Sequence, residues 1–216
     1  MNNIIEFIQE KLKLNKNIDI KTTEIPNNKR ELCDIIKHRY NENQEILDLS
    51  DIDISNITNL EDLFKESLPH ISCLKNIKEI IGIEDWNTSN VTNMSGLFKY
   101  FELVTKIDVS DWDVSNVEDM SLMFFGCKYL KNVGDLSKWN TKNLKKTNMM
   151  FVDCGILSTI GDISKWNINK LKNAEYMFQS CKRLKLDISN WPLHMTNSGI
   201  SSIGINYCTE YVKTRK

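Results

Sequence analysis

The chain has 216 residues, enough for one domain of ordinary size with a substantial apolar core. Its 28 lysines and arginines nearly cancel its 29 aspartates and glutamates, for a net charge of −1. No global field therefore attracts a nucleic-acid backbone, and no acidic excess points to a cationic substrate. Nowhere do about 18 apolar residues run together, so no membrane span is expected.

Taken in chain order, Met1 to Leu14 mixes Ile4, Ile5, Phe7 and Ile8 with Glu6, Glu10 and Lys11. That mixture breaks the apolar run an export leader requires, and it predicts a cytoplasmic protein, in a host cell if the source is phage or viral. Residues 2–14 read as a helix with Ile4, Ile5, Ile8 and Leu12 on one side, and Ile18 to Ile20 as a strand. After Pro26 a second helix is predicted from Asn28 to Tyr40, with Leu32, Ile35 and Ile36 inward. Residues 1–44 thus form a helical N-terminal cap, as a stacked array needs to cover its first apolar edge.

From residue 45 the chain repeats itself. Trp86, Trp112, Trp139, Trp166 and Trp191 are spaced by 26, 27, 27 and 25 residues, and a fainter first copy from Asp51 puts Ile52 in the tryptophan place. Phe64, Phe98, Phe124, Phe151 and Phe178 follow at one phase. Cys127, Cys154 and Cys181 then open C-x-x-L elements, replaced by Phe101 and Val104 in the Trp86 copy. A worn last copy runs through Ile205, Cys208 and Tyr211. The units fall at 46–78, 79–104, 105–130, 131–157, 158–184 and 185–211, followed by a tail at 212–216.

Each unit carries the same predicted elements. Before the tryptophan place, Asp48, Asp108, Asp135, Asp162 and Asp187 begin D-[ILV]-S segments, whose alternation suits a short strand. Gly134 and Gly161 mark a bulge or tight approach to it. After the tryptophan, Val117, Met120, Met123 and Phe124 have the spacing of a short amphipathic helix. Ser115 with Glu118 would cap it, and Asn90 or Ser89 would cap the equivalent one. The predicted fold is α/β: a leucine-rich-repeat-like solenoid of about six coils, each with a short parallel strand and a short helix.

The composite W-[DN]-x-S-N-V-x-x-M-x-x-M-F-x-x-C-x-x-L resembles the repeat of BspA-like leucine-rich-repeat surface proteins, also seen in mycoplasma-type lipoproteins. The resemblance covers Leu47 to about Tyr211, with Ile52, Thr147 and Ala174 as departures from the tryptophan and methionine columns. It implies a recognition scaffold that binds other proteins, in exported members as an adhesin, with no catalytic repeat residue.

Chemistry is sparse. The aspartate column would stack at about 4.8 Å and could bind a cation or a basic peptide, or each carboxylate could satisfy its own backbone turn. One cysteine per coil gives a linear row, unlike the convergent ligands of a metal site, so buried reduced thiols are expected. His38, His70 and His194 stand in unrelated contexts, and neither nucleotide loop motif is present. Lys142, Lys145 and Lys146, and the tail Lys213, Arg215 and Lys216, read as solvated positions. The functional expectation is a non-enzymatic protein-binding scaffold without metal, cofactor or nucleic acid. The alternatives are a surface adhesin, and an enzyme or metal binder using the aspartates.

Overall fold

The computed structural model describes residues 23–188, Trp191 and 210–212. The helix predicted at 2–14, the strand at Ile18–Ile20 and the worn copy through Ile205 and Cys208 lie outside the described residues. In order, the elements are α1 (Lys29–Arg39), β1 (Ile46–Asp48), α2 (Leu63–Ser67), α3 (Ile71–Leu74) and β2 (Glu79–Ile81), then 3-10 turns at Leu136–Lys138 and Ile163–Lys165, β3 (Lys185–Asp187) and β4 (Glu210–Val212).

Helix α1 starts where Asn28 accepts from the Glu31 N–H, and it places three basic residues, Lys37, His38 and Arg39, in its last turn against the helix dipole. Leu32 and Ile36 are fully buried. Lys29 pairs with Glu66 of α2 at 2.7 Å, and Arg39 donates to the Ser50 carbonyl at 2.6 Å. The helix is thereby tied to the first repeat.

Equivalent positions of successive repeats face one another in parallel. Asn59, Asn93, Asp119, Lys146 and Asn173 form consecutive parallel bridges, β1 pairs with β2, and Lys106 with Asn132. Between these bridges the amides alternate in a regular way. The N–H groups of Met120, Leu122, Phe124 and Gly126 donate to Lys146, Asn148, Met150 and Val152 of the next repeat at 2.8–3.0 Å. Those of Met123, Phe125 and Cys127 close turns on Met120, Leu122 and Phe124 of their own. Almost every amide is thus satisfied without a helix.

That alternation corrects the predicted helix. Asp62, Gly96, Leu122, Met149 and Tyr176 occupy one phase of the repeat and all have φ between 47 and 65°. Tyr100, Gly126, Asp153 and Ser180 occupy a second, with φ between 62 and 75°. A left-handed residue cannot continue an α-helix, so the Val-Met-Met-Phe segments of the tryptophan-bearing repeats are successive turns. The three-residue spacing that resembles a helix stripe is the spacing of those turns.

The capping box is absent for the same reason. The Ser115 N–H donates to Asp113 Oδ1 (2.9 Å), and the Glu118 N–H donates to the Thr92 carbonyl (2.8 Å). Asn90 and Asn116 act between repeats: their side-chain amides donate to the Ser55 and Ser89 carbonyls at 2.7 and 2.8 Å.

The D-[ILV]-S segments differ as well. Strand geometry lies just before and into them, in β1 and β3. The segments themselves bend, with the N–H groups of Trp112, Trp139 and Trp166 donating to Val109, Leu136 and Ile163 at 3.1–3.2 Å.

The core is a set of side-chain columns along the stack. Phe64, Phe98, Phe124, Phe151 and Phe178 stack ring on ring, with centroids 5.2–5.8 Å apart and planes within 27°. All five are fully buried. Thr147, in the methionine column, is also fully buried, and its hydroxyl has no partner.

Candidate functional site

The aspartate column is the leading candidate from sequence, and its geometry is that of a backbone cap. Asp48, Asp135 and Asp162 each accept, through Oδ1, the N–H two residues on, at Ser50 (2.9 Å), Ser137 (3.0 Å) and Ser164 (3.1 Å). Asp108 does so at 3.3 Å, and also accepts the Ser110 hydroxyl at 2.8 Å. This is the side-chain mimic of a turn that Asp favours. Asp187 ends β3. Between Asp48 and Asp108 the phase is held by Gly82, so the column is interrupted. A Cβ there would lie 2.2 Å from the Ser50 nitrogen.

The serine donors hold these carboxyls below the usual carboxylate range: the Ser110 hydroxyl for Asp108, the Ser137 amide for Asp135 and the Ser164 hydroxyl for Asp162. A carboxyl depressed in the folded state contributes stability that is present above its unfolded pKa, about 3.9 for Asp. That contribution is lost as pH falls through the folded value. The urea midpoint is therefore expected to drop below about pH 4. Replacing all three by asparagine, which cannot ionise, is expected to flatten the drop by lowering the midpoint at neutral pH toward its acidic value. Urea titrations at stepped pH measure both.

The cysteine column is also structural. The Cys127, Cys154 and Cys181 thiols donate to the Phe98, Phe124 and Phe151 carbonyls of the preceding repeat at 3.1, 3.2 and 2.9 Å. Each is fully buried. Burial pushes the Cys127 and Cys154 thiols well above their ordinary range. Iodoacetamide is expected to leave these three unmodified in the native protein and to label them in urea, since the thiolate is the reactive form. Mass spectrometry of the peptides decides it, and native labelling would contradict the packing.

The tryptophans have a matching role. Trp112, Trp139, Trp166 and Trp191 donate through Nε1 to the Ile83, Val109, Leu136 and Ile163 carbonyls at 2.8–3.2 Å. Trp86 stacks on Trp112 at 6.2 Å, Trp139 on Trp166 at 5.9 Å and Trp166 on Trp191 at 6.4 Å. The Trp86 Nε1 is buried without a partner. His38 has Nδ1 2.6 Å from the Asp34 carbonyl of its own helix, His70 precedes α3, and His194 lies outside the described residues. Among the described residues no cluster of three His, Cys, Asp or Glu has metal-holding geometry, and no helix is long and apolar enough to cross a membrane.

What varies along the stack is the surface. Residues 23–130 carry twenty acidic and ten basic side chains, residues 131–188 five acidic and eleven basic. The near-zero net charge of the whole chain therefore hides a difference of −10 against +6. The change occurs within single columns: Glu118 and Asp119 are followed one repeat later by Lys145 and Lys146, which pair with them at 2.7 and 3.0 Å. Asp85 and Asp111 are followed by Lys138 and Lys165 at the same phase. Counting charge repeat by repeat would have revealed this from sequence.

Largely conserved buried columns beneath a surface whose charge changes define a repeat protein. Residues 34–151 and 70–191 match the family described as Mycoplasma protein of unknown function, DUF285, and the chain belongs to that family. No curated protein and no solved structure matches it.

Proposed function

We propose that this chain is a non-enzymatic protein-binding scaffold: a leucine-rich-repeat-like solenoid of six coils behind an N-terminal cap, related to the BspA-like surface repeats. The observation that carries the reading is the reversal of surface charge along repeats whose phenylalanine column is unchanged and whose other interior columns vary at few positions. Opposed potentials at the two ends of an elongated surface orient and select a partner and speed its encounter. The parallel bridges between equivalent positions support the solenoid, because such units bury their apolar faces only against neighbours. In this reading the aspartates, tryptophans and cysteines are structural, and binding belongs to the exposed columns.

The test is affinity capture from cell lysate with the folded chain at about 0.15 M salt, where surface charges are screened beyond about 8 Å. A stoichiometric partner is expected, released as salt rises. Recovery of none would contradict the reading. The family match and the BspA-like repeat together favour a surface adhesin as the second reading. Fractionation of the source cells separates the two, since a purely cytosolic signal ends it.

A further inference from the structure

The ladder between repeats has a gap. Strand β2 pairs with β1, with the Leu49 N–H donating to the Ile81 carbonyl (2.8 Å) and the Glu79 N–H to Glu45 (3.1 Å). In a parallel strand this turns the N–H and C=O of Ile80 to the opposite edge. Residues 105–109 face the other way. The N–H groups of Ile107 and Val109 go to Asn132 and Val133, and the Thr105 carbonyl accepts from Lys131. The N–H groups of Lys106 and Asp108 are therefore directed toward β2. Among the described residues no backbone hydrogen bond joins β2 to 105–108.

A cavity of about 650 Å³ occupies the space between these two edges. The repeats are tied beyond both of its ends, by Lys75 paired with Glu102 at 2.8 Å and by Trp112 Nε1 donating to the Ile83 carbonyl at 2.9 Å. The segment from Phe98 to Trp112 on its far side is one residue shorter than those from Phe124 to Trp139 and from Phe151 to Trp166, which contain Gly134 and Gly161.

Charge identifies the occupant. Five carboxylates line the slot against two lysines, and both lysines are engaged: Lys78 with Glu45 at 2.7 Å and Lys106 with Asp108 at 3.4 Å. Glu79, Glu84 and Asp111 are exposed and have no cationic partner among the described residues. We infer that the slot between β2 and residues 105–108 takes an extended, lysine- or arginine-bearing segment of a partner protein as an added parallel or antiparallel strand. Main-chain bonds to Ile80, Lys106 and Asp108 hold its backbone, and Glu79, Glu84 and Asp111 take its charges. The inference rests on the scaffold reading and gives it a partner class.

The test uses the whole chain and a short peptide alternating lysine and valine. Its controls are the glutamate and valine counterpart and the lysine peptide N-methylated at alternate amides. The lysine peptide is expected to bind and the other two are not. Binding is expected to slow amide exchange at Ile80, Lys106 and Asp108. The exposed double change Glu84→Lys with Asp111→Lys is expected to weaken binding about tenfold or more. If the N-methylated peptide binds equally well, the association is charge attraction alone and strand addition is overturned. If the lysine peptide fails to bind, and a captured partner is indifferent to the double change, the slot is not the site while the scaffold reading stands.

Discussion

Trp139→Ala is expected to cost about 3–5 kcal/mol, the range for truncating a buried aromatic. Trp139 is 4 % exposed, stacks on Trp166 with planes 16° apart, and donates to the Val109 carbonyl of the preceding repeat at 3.0 Å. Truncation removes the ring from one interface and an inter-repeat bond from the other. Because each repeat meets only its neighbours, the damage divides the stack rather than spreading evenly. Urea unfolding followed by circular dichroism is expected to show a lower midpoint and a shallower or split transition. Trp139→Phe keeps a ring but loses the bond, so it is expected to cost less. A cost under about 1 kcal/mol for the alanine variant would mean that the indole is not packed as described.

Gly161→Ala is expected to be the most damaging of the small substitutions. Gly161 has φ +82°, and a Cβ there would stand 1.8 Å from Asp135 Oδ1, the atom that accepts the Ser137 N–H. The left-handed backbone alone costs roughly 1–2 kcal/mol with a side chain. Displacing Asp135 adds roughly 0.5–1.5 kcal/mol for the lost turn bond. Gly134 stands in the same relation to Asp108, with a Cβ at 2.4 Å. Gly155 is the control: its φ is not positive and its nearest neighbour would be the Ser180 carbonyl at 3.7 Å. Gly155→Ala is expected to be neutral or slightly stabilising. Equal thermal midpoints for the two alanine variants would contradict the close approach of glycine to the aspartate turn.

The buried columns were legible because a fixed period forces identical surroundings at each phase. Phe98, Phe124 and Phe151, and Cys127, Cys154 and Cys181, recur where a ring meets a ring and a thiol meets a carbonyl one repeat back. The helix was misread because turns closing three residues back give the same i, i+3 spacing as a helix face. The residue that separates the two, left-handed at Leu122, Met149 and Tyr176, is glycine only at Gly96. The aspartate column gave both of its readings from sequence, and the hydrogen bonds to Ser110, Ser137 and Ser164 chose the backbone cap. The slot was not legible. It depends on which backbone edges the neighbouring repeats leave unpaired between β2 and residues 105–108, and that appears only when repeats are laid side by side.

Amide hydrogen exchange followed residue by residue tests the stacked arrangement most directly. The N–H groups of Phe98, Phe124 and Phe151, which donate to Met123, Met150 and Met177 of the next repeat at 2.8–2.9 Å, are expected to be protected to near the global unfolding limit. Those of Ile80, Lys106 and Asp108 are expected to exchange fast. Rapid exchange at the three phenylalanines, or protection at the slot edges in the free protein, would contradict the arrangement.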